Sequence, residues 1–379
     1  MKRYDAVIAG GGLIGGAIAL ELARAGLSVA LFDRQQPGAE ASWAGAGILS
    51  PAPEAAGMFP LVPLGKVSLA QYPEYVYALE EFTGHDVGFR QKGTIEALFS
   101  RDARSELSTI IAVHHGVGLR AEPLSAEDAR EMEPALSEDT EAGVLRPDEA
   151  SVDNRRLMAA ILDAAKQSGV DIFADRSAKA ILREGQRCIG LQLQNEKVEA
   201  AWTVIAAGCF SAEIGGITRY APVRPARGQM ISLRSTKWNI ERVLWSDKVY
   251  LVPRNEGQIL AGATVEYVGF EKKLTAAGIE KILAGAIELA PGLANAEIVE
   301  TWCGLRPDSP DHLPILGPTD LDGLLIATGH FRSGILLTPI TAKLICEWIT
   351  KLSVSTDWER FSPLRFQTAV PDSTGKMHA

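Results

Sequence analysis

Hydrophobic residues recur along this chain with two different spacings, and the first of them predicts alternating strands and helices. Apolar runs occur at residues 5–9 and 29–32. Between them, Leu13, Ala17 and Leu20 are spaced as on one face of a helix. A strand, a helix and a second strand in such close succession are typical of a crossover helix that packs on a parallel sheet.

The same alternation returns near the middle of the chain and again near its end. Ser125 and Asp128 have the spacing of a helix N-terminal cap. A proline-containing stretch at 51–63 is predicted to be irregular, and the residues after Thr368 are predicted to form a disordered tail. The other predicted elements are helices at 73–83, 125–132, 157–167 and 337–349, and strands at 170–173, 203–207 and 324–327.

Between residues 222 and 301 the spacing changes to that of strands. Two short apolar runs, at 249–254 and 259–264, are separated by a turn at Asn255 to Gln258, which predicts an antiparallel hairpin. We therefore expect an α/β protein with two domains. The first would combine residues 1–84, 143–221 and 303–379, and the second, with a largely antiparallel sheet, residues 85–142 and 222–302.

Composition and charge narrow the class of protein. The chain has 379 residues, of which 46% are hydrophobic and 22% charged, so it is long enough for a sizeable core and too apolar for a disordered protein. Its net charge of −9 and the lack of a Lys/Arg cluster argue against nucleic acid as a partner.

The cysteines and the apolar segments indicate in which cellular compartment the protein is expected. Cys188, Cys209, Cys303 and Cys346 are widely spaced, which indicates neither a zinc site nor a disulfide framework, and we expect reduced thiols in the cytoplasm. No window reaches the roughly 18 apolar residues of a membrane span. The apolar start is read as folded structure because it lacks a convincing signal-peptide cleavage site.

A glycine motif inside the first strand–helix–strand unit carries the clearest chemistry. Gly10 permits a tight turn, Gly12 allows the backbone to approach a pyrophosphate, and Gly15 lets the helix lie close to the strand. Asp33 follows 18 residues after Gly15, where an acidic residue binds ribose hydroxyls and disfavours a 2′-phosphate. The motif predicts a dinucleotide site, and by itself it does not separate FAD from NAD.

Three further motifs follow in order along the chain. They are a small-residue segment at 41–49 (ASWAGAGIL), GLRP at 304–307 and GHFRSGIL at 329–336. With the glycine motif, they resemble the D-amino-acid oxidase superfamily of flavoproteins, in particular its glycine oxidase branch, from Tyr4 to about Trp348. The resemblance implies a Rossmann-like FAD-binding domain and a substrate domain whose antiparallel sheet closes over the flavin.

The resemblance also implies which residues bind FAD. The segment 204–208 is similar to the second cofactor-contacting strand of the superfamily, and the loop 329–334 would direct backbone N–H groups toward the flavin. Besides Gly10, Gly12, Gly15 and Asp33, the implied cofactor residues are Leu13, Ile14, Arg34, Ser42, Ala44, Gly45, Ala46, Gly47, Ile48, Ala206, Ala207, Gly208, Gly329, His330, Phe331, Arg332, Ser333, Gly334, Ile335 and Leu336.

Three residues are expected to handle the substrate, again by resemblance. Arg306 matches the arginine that clamps the substrate carboxylate, which a planar guanidinium can do through two hydrogen bonds. Tyr250 matches the tyrosine whose hydroxyl assists that carboxylate. Arg332 matches a position whose backbone carbonyl can receive the substrate amine.

The sequence departs from the glycine oxidase pattern at several positions. Ile48 and Val265 stand where methionines are common, and Lys248 stands where a histidine is expected. Such differences shift substrate preference by about 1 to 3 kcal/mol. Some relatives carry the flavin covalently on a cysteine, and Cys303 lies one position from that place, yet we expect FAD to be bound non-covalently.

The remaining histidines and carboxylates suggest no metal site. His330 lies in the flavin loop, where a structural hydrogen bond is the simpler role, and His114, His115 and His312 lack partners at ligand spacing. Two carboxylates of a proline-containing loop, Asp308 and Asp311, are expected to cap turns.

By resemblance, the expected reaction is the oxidation of a small amino acid or amine, with glycine first and sarcosine or small D-amino acids next. Oxygen would be the electron acceptor, the enzyme would be a homo-oligomer, and a role in thiamine biosynthesis is common in this branch. One alternative is a dehydrogenase that passes electrons to a quinone or a partner protein. Another, of a different class, is a flavin-binding scaffold or sensor without turnover.

Overall fold

Two large β-sheets organise the part of the chain that the structure describes. The structure is a computed structural model, and it describes residues 3–53, 56–100, 102–235, 239–351, 354 and 358–366. Its strands are β1 (Tyr4–Ala9), β2 (Val29–Phe32), β3 (Ile48–Leu49), β4 (Thr94–Leu98), β5 (Glu122–Ser125), β6 (Ala142–Arg146), β7 (Ala150–Ser151), β8 (Asp171–Phe173), β9 (Ala178–Glu184), β10 (Arg187–Leu193), β11 (Lys197–Ile205), β12 (Arg224–Arg234), β13 (Val243–Trp245), β14 (Tyr250–Pro253), β15 (Gln258–Gly262), β16 (Glu297–Asp308), β17 (Ile315–Pro318) and β18 (Leu324–Thr328).

Helices connect and cover these strands. The α-helices are α1 (Leu13–Arg24), α2 (Ala41–Ala44), α3 (Val62–Thr83), α4 (Ala103–Gly116), α5 (Ala126–Met132), α6 (Asn154–Gln167), α7 (Ala276–Leu289) and α8 (Thr338–Lys351). Short 3₁₀ helices occur at Ala56–Leu61, Gly208–Glu213, Asn255–Gly257, Pro291–Asn295, Glu359–Phe361 and Pro363–Phe366. Within the described ranges, no helix is both long and apolar enough to cross a bilayer.

The first sheet contains the strands that the alternating pattern predicted. Its order is β17-β18-β11-β1-β2-β8, with β10 paired to β11 and β9 to β10. The strands from β18 to β8 along this path are parallel. Helices α1, α3, α6 and α8 cover one face and form the main hydrophobic core, while β9 and β10 contribute to a second core on the other face. The carboxyl ends of the parallel strands therefore meet at one edge, where ligands bind in open α/β sheets.

The second sheet is antiparallel except for one pair. Its order is β16-β12-β15-β14-β13-β4-β6-β5, and only β13 and β4 run parallel. The predicted hairpin is present as β14 and β15, joined by Asn255–Gly257. Helix α7 covers one face and closes a separate core. The other face carries Tyr250, Trp302 and Met230, which pack against the segment around Ala44 and Ala46 from the first domain.

Helix α3 begins earlier than the sequence predicts. The prediction of an irregular stretch to residue 63 and a helix from Pro73 is wrong, because α3 runs from Val62 to Thr83. Pro63 lies in the first turn, where proline is favoured, whereas Pro73 lies inside the helix, where it removes one backbone donor. Because proline is typical of the first turn of a helix, the sequence suggests Pro73 as the start, which is eleven residues too late.

The other predicted elements differ from the observed ones mainly at their ends. Ser125 and Asp128 form the reciprocal cap of helix α5 that their spacing suggests. Two predicted domain limits, at 142/143 and 302/303, fall inside strands of the second sheet, β6 and β16. The division into domains stays a prediction at those limits, and the predicted tail after Thr368 lies outside the described residues.

Candidate active site

A large cavity of about 1,040 Å³ lies between the two sheets. Its volume is at the upper end of the range for small-molecule and cofactor sites. One wall, called the cofactor wall below, consists of the ends of the parallel strands, at Ala9, Phe32, Ala206 and Ala327, and the loops that follow them. The opposite wall, called the substrate wall, is the face of the second sheet that carries Tyr250.

The glycine turn builds the first part of the cofactor wall by letting backbone segments approach closely. Gly10 has a φ of +107°, and a Cβ there would lie 2.4 Å from the carbonyl oxygen of Ala206. A Cβ on Gly15 would lie 1.9 Å from the carbonyl oxygen of Gly10, so only glycine lets α1 begin beside β1. Gly12 is the N-cap of α1 without a capping side chain of its own, and no acidic residue lies in the first turn. This helix N-terminus is therefore a suitable place for a phosphate.

Asp33 stands at the end of β2 as the ribose assignment requires. Its carboxylate accepts hydrogen bonds from the backbone N–H groups of Gly11, at 2.7 Å, and Gln35, at 3.0 Å. These bonds fix the carboxylate against the glycine turn and leave lone pairs for hydroxyl donors. Burial raises the pKa of Asp33 from its usual value, while the two backbone donors and Arg34 act in the opposite direction.

The small-residue segment lies beside the glycine turn and is tied to it. The hydroxyl of Ser42 accepts a hydrogen bond from the backbone N–H of Leu13 at 2.9 Å and so caps α1 from outside its own sequence. The segment continues through Gly47, with a φ of +75°, into the short strand β3. Its residues from Ala44 to Ile48 line the cavity.

The loop before α8 forms the far end of the same wall. Phe331 has a φ of +46°, and its N–H bonds to the carbonyl of Pro307 at 2.9 Å, which joins the loop to the strand of Arg306. His330 is buried, and its Nε2 contacts the hydroxyl of Thr341 at 3.1 Å. Burial lowers the pKa of His330 to about 3, so the imidazole is neutral at physiological pH. Burial also lowers the pKa of Arg332.

The substrate wall brings Arg306 and Tyr250 together from β16 and β14. Gly228 on β12 makes room for Arg306, because a Cβ there would lie 2.1 Å from its Nη1 atom. Gly262 on β15 does the same for Tyr250, whose hydroxyl would be 2.8 Å from such a Cβ. The sequence did not indicate the role of either glycine, because nothing in their own segments shows which side chains pack over them.

Arg306 is a cation held in place without a carboxylate partner. Its Nη1 donates to the carbonyl oxygen of Thr264 at 3.1 Å, and no acidic side chain in the described part of the chain forms an ion pair with it. Burial raises the pKa of Tyr250, and the nearby Arg306 acts in the opposite direction. The pair therefore presents a positive charge and a phenol hydroxyl to the cavity, which together suit an anion such as a carboxylate.

Almost all of the predicted site residues face this one cavity. Gly15 and Gly329 do not line it and lie behind the wall, while every other predicted cofactor or substrate residue does. Among the departures from the family pattern, Ile48 and Lys248 line the cavity, whereas Val265 and Cys303 do not. Lys248 is exposed, and its ammonium group contacts the carboxylate of Glu288 at 2.7 Å.

Beyond Tyr250, the substrate wall continues with side chains that the sequence did not single out. Trp245 pairs with Tyr250 across β13 and β14, and with Glu96 across β13 and β4, so the three side chains lie on one face. Glu96 forms an ion pair with Arg146, whose other carboxylate partner is Glu149 at 3.6 Å. This end of the cavity is polar and contains an ion pair. The sequence does not predict it, because its residues come together only through the pairing of distant strands.

Asp308 and Asp311, the two carboxylates after the GLRP motif, hold the loop between β16 and β17. Asp308 is buried, accepts from Tyr267 at 2.9 Å and Arg224 at 3.2 Å, and contacts Nδ1 of His312 at 2.6 Å. Asp311 accepts from the N–H of Leu313 and from Nε and Nη2 of Arg365. The predicted turn cap is present at Asp311, whereas Asp308 ends β16 and its carboxylate contacts side chains instead.

Comparison with known proteins identifies the family. A family model described as FAD dependent oxidoreductase matches residues 5–348. The chain belongs to this family. Its cofactor is FAD, and the comparison confirms the superfamily, fold class and cofactor that the motifs predict.

Individual relatives of this FAD-dependent oxidoreductase agree with that assignment. The bifunctional protein ThiO/ThiG of Synechocystis sp. is 36% identical over 96% of this chain, which spans about half, 54%, of that protein. The hydrogen cyanide synthase subunit HcnC of Pseudomonas aeruginosa is 32% identical, with 97% of each chain covered. The crystal structure of glycine oxidase from Geobacillus kaustophilus is 32% identical and superposes with a TM-score of 0.91, covering 96% of this chain and 99% of that one.

The residues present fit FAD. A Cβ on Gly10 would meet the Ala206 backbone and one on Gly12 would lie 2.8 Å from Oγ of Ser42, so only glycines keep the bare backbone at the helix start that a pyrophosphate needs. Asp33 is positioned for ribose, and the backbone of Gly45 to Ile48 and of His330 to Leu336 lines the rest of the wall. Cys303 lies outside the cavity lining.

Proposed function

We propose that this chain oxidises a small amino acid or amine, with glycine as first substrate and sarcosine or small D-amino acids next. The observation that carries this proposal is Arg306, a cation in the cavity wall beside the hydroxyl of Tyr250, without an acidic partner among the described residues. Such a pair needs an anion to complete it, and the carboxylate of an amino acid supplies one with the matching planar geometry.

The two side chains orient the substrate. With its carboxylate on Arg306 and Tyr250, the substrate has its Cα between the substrate wall and the cofactor wall, and its amine is free to reach the backbone carbonyl of Arg332. That carbonyl accepts a hydrogen bond from the amine and so orients its nitrogen. The neutral His330 adds no positive charge that would compete with Arg306 for the carboxylate.

The chain needs no general base at Cα, because the bond to hydrogen breaks with its electron pair. When bound, FAD would supply the two-electron redox chemistry that couples oxidation of the substrate to reduction of oxygen to hydrogen peroxide. The protein contributes orientation and a fixed electrostatic environment. The imine that leaves Arg306 and Tyr250 reacts with water to give an oxoacid and ammonia.

The names of the relatives support this reaction, and they leave the electron acceptor to be decided by experiment. Similarity to a glycine oxidase and to ThiO/ThiG supports glycine as substrate and a role in thiamine biosynthesis. Similarity to the hydrogen cyanide synthase subunit, at the same 32% identity as the glycine oxidase, favours a second candidate in which the electrons go to a quinone or a partner protein.

The first experiment is the visible spectrum of the purified holoenzyme. The spectrum is recorded without oxygen, before and after adding glycine, sarcosine or single D- and L-amino acids, and again after air is readmitted. We expect one small amino acid to bleach the flavin, and air to restore the colour with formation of hydrogen peroxide.

Other results would change the proposal in defined ways. Bleaching without prompt recovery in air, together with fast turnover on an artificial acceptor, would favour the dehydrogenase. A yellow protein that no amine reduces would overturn the substrate class and favour a flavin-binding scaffold.

A further inference from the structure

The carbonyl groups of the small-residue segment are held from the side that faces away from the cavity. The side-chain amide of Asn154 donates to the carbonyl oxygens of Ser42, at 2.8 Å, and Trp43, at 3.0 Å. The indole N–H of Trp302 donates to the carbonyl of Ala44 at 3.0 Å. These donor side chains do not line the cavity, so they hold the three carbonyls from behind the wall.

Arg254 holds the next carbonyl and connects the donors to each other. Its Nη2 atom donates to the carbonyl oxygen of Ala46 at 2.7 Å and to the side-chain oxygen of Asn154 at 3.3 Å. Only 7% of the Arg254 side chain is exposed, and burial lowers its pKa to about 10, so it stays charged at neutral pH. Asp153, 3.9 Å away, is its nearest acidic partner among the described ion pairs.

Fixing these carbonyls also fixes the direction of the N–H groups. In a trans peptide the N–H points opposite to the C=O of the same unit. The carbonyls of Ala44 and Ala46 point to Trp302 and Arg254, so the N–H groups of Gly45 and Gly47 point the other way, toward the cavity that their residues line.

We propose that Asn154, Arg254 and Trp302 are positioning residues for FAD. Trp302 and Arg254 aim the N–H groups of Gly45 and Gly47 at the cofactor, and Asn154 holds Arg254 and the two preceding carbonyls in place. They act from both domains, since Asn154 begins α6, whereas Arg254 follows β14 and Trp302 lies on β16. Trp302 is four residues before Arg306 on the same strand. The same contacts therefore set the distance between the cofactor wall and the carboxylate clamp.

The test measures FAD binding and flavin properties rather than turnover. The substitutions are Asn154→Asp, which keeps the shape and removes both donors, Arg254→Met, and Trp302→Phe, which removes the indole N–H. Apoprotein is prepared from each holoenzyme and titrated with FAD by fluorescence. The reduction potential of the bound flavin and the melting temperature of the apoprotein are measured beside it.

We expect Asn154→Asp and Arg254→Met to weaken FAD binding about tenfold, which corresponds to about 1.4 kcal/mol. Trp302→Phe should weaken it by less. The reduction potential should become more negative in all three, because the aligned N–H groups and the charge of Arg254 stabilise electron density on the flavin. Arg254→Lys should restore part of both losses, because it returns the charge and one donor.

Arg156→Met is the matched control. Arg156 lies on the same helix as Asn154 and is 46% exposed in its side chain. It pairs with Asp86 at 3.0 Å and with Asp153 at 3.6 Å, and within the described part of the chain it makes no hydrogen bond to the segment. Its substitution should change FAD affinity less than twofold. A lower apoprotein melting temperature with unchanged FAD affinity and potential in Asn154→Asp and Trp302→Phe would mean a merely structural role and would overturn the proposal. If Arg254→Met does not fold, Trp302→Phe and Arg254→Lys decide.

Discussion

The two walls of the cavity are built from different parts of the polypeptide. The cofactor wall consists largely of main chain, with glycines such as Gly10 and Gly47 in conformations or contacts that exclude a side chain. The substrate wall consists of side chains on one face of a sheet, where Arg306, Tyr250 and Trp245 come from three strands. One wall is shaped by close backbone approach, and the other by charge and side-chain size.

This difference indicates how each wall responds to substitution. Adding atoms to the cofactor wall displaces backbone, so the expected loss is of FAD binding and of folding stability together. Changing a side chain on the substrate wall leaves the backbone in place, so the expected loss is of substrate binding while FAD remains bound. The predictions below test that separation.

The largest effect is expected from Gly15→Ala, directly behind the cofactor wall. The added Cβ would lie 1.9 Å from the carbonyl oxygen of Gly10, so either α1 or β1 must move. We expect the loss of stoichiometric FAD after purification and a destabilisation of about 1 to 3 kcal/mol. Flavin content and urea unfolding measure both. Gly116→Ala, at a helix position with open space around it, is the control and should keep full FAD content.

On the substrate wall, Arg306→Met should raise KM for the amino acid about 100-fold, because it removes a charge-assisted contact worth about 2.7 kcal/mol. FAD content and the flavin spectrum should not change. Steady-state kinetics with the best substrate of the bleaching experiment give the ratio. Arg234→Met, an exposed arginine that pairs with Glu297, is the control. A normal KM in Arg306→Met would refute the carboxylate clamp.

The sequence predicted the cofactor wall more completely than the substrate wall, because the first depends on a local pattern and the second on contacts between distant strands. The spacing of Gly10, Gly12 and Gly15 within one strand–helix unit is local, so the pattern alone indicates a turn against a phosphate. Gly228 and Gly262 are as necessary to the substrate wall, yet their role depends on Arg306 and Tyr250, which reach them from other strands.

Tertiary contacts account for the other features that the sequence did not predict. Ser42 caps α1 although it lies 29 residues after Leu13, whose N–H it accepts. Asn154 is isolated in the sequence from the carbonyls it holds. Glu96 reaches the cavity only because β13 and β4 pair in parallel. Such residues would need an alignment of relatives or a structure to be found.

A smaller, pH-dependent effect is expected from His330, which links the cofactor loop to α8. Burial lowers its pKa to about 3, whereas in the unfolded chain it is about 6.5. The unfolded state therefore binds a proton first, and stability is lost as pH falls below 6.5. At pH 5 the loss relative to pH 7.5 should be about 2 kcal/mol from this group. Urea unfolding of His330→Asn at the two pH values should show a correspondingly smaller decrease, and an equal decrease would contradict this assignment.

The smallest effect is expected at the rim between the walls, from Lys248→Met. Lys248 departs from the family pattern and lines the cavity, but its charge is held by Glu288 at 2.7 Å and both side chains are largely exposed. The hydrogen bond that Lys248 donates to Glu288 raises the pKa of Lys248, so its ammonium group stays charged at neutral pH. Exposed pairs contribute about 0 to 1 kcal/mol, and salt screens them further. We therefore expect less than a threefold change in kcat/KM at about 0.15 M salt, and a similar value for Glu288→Gln. A tenfold change in Lys248→Met alone would mean that the ammonium group acts on the substrate, and the substrate wall would then extend to the rim.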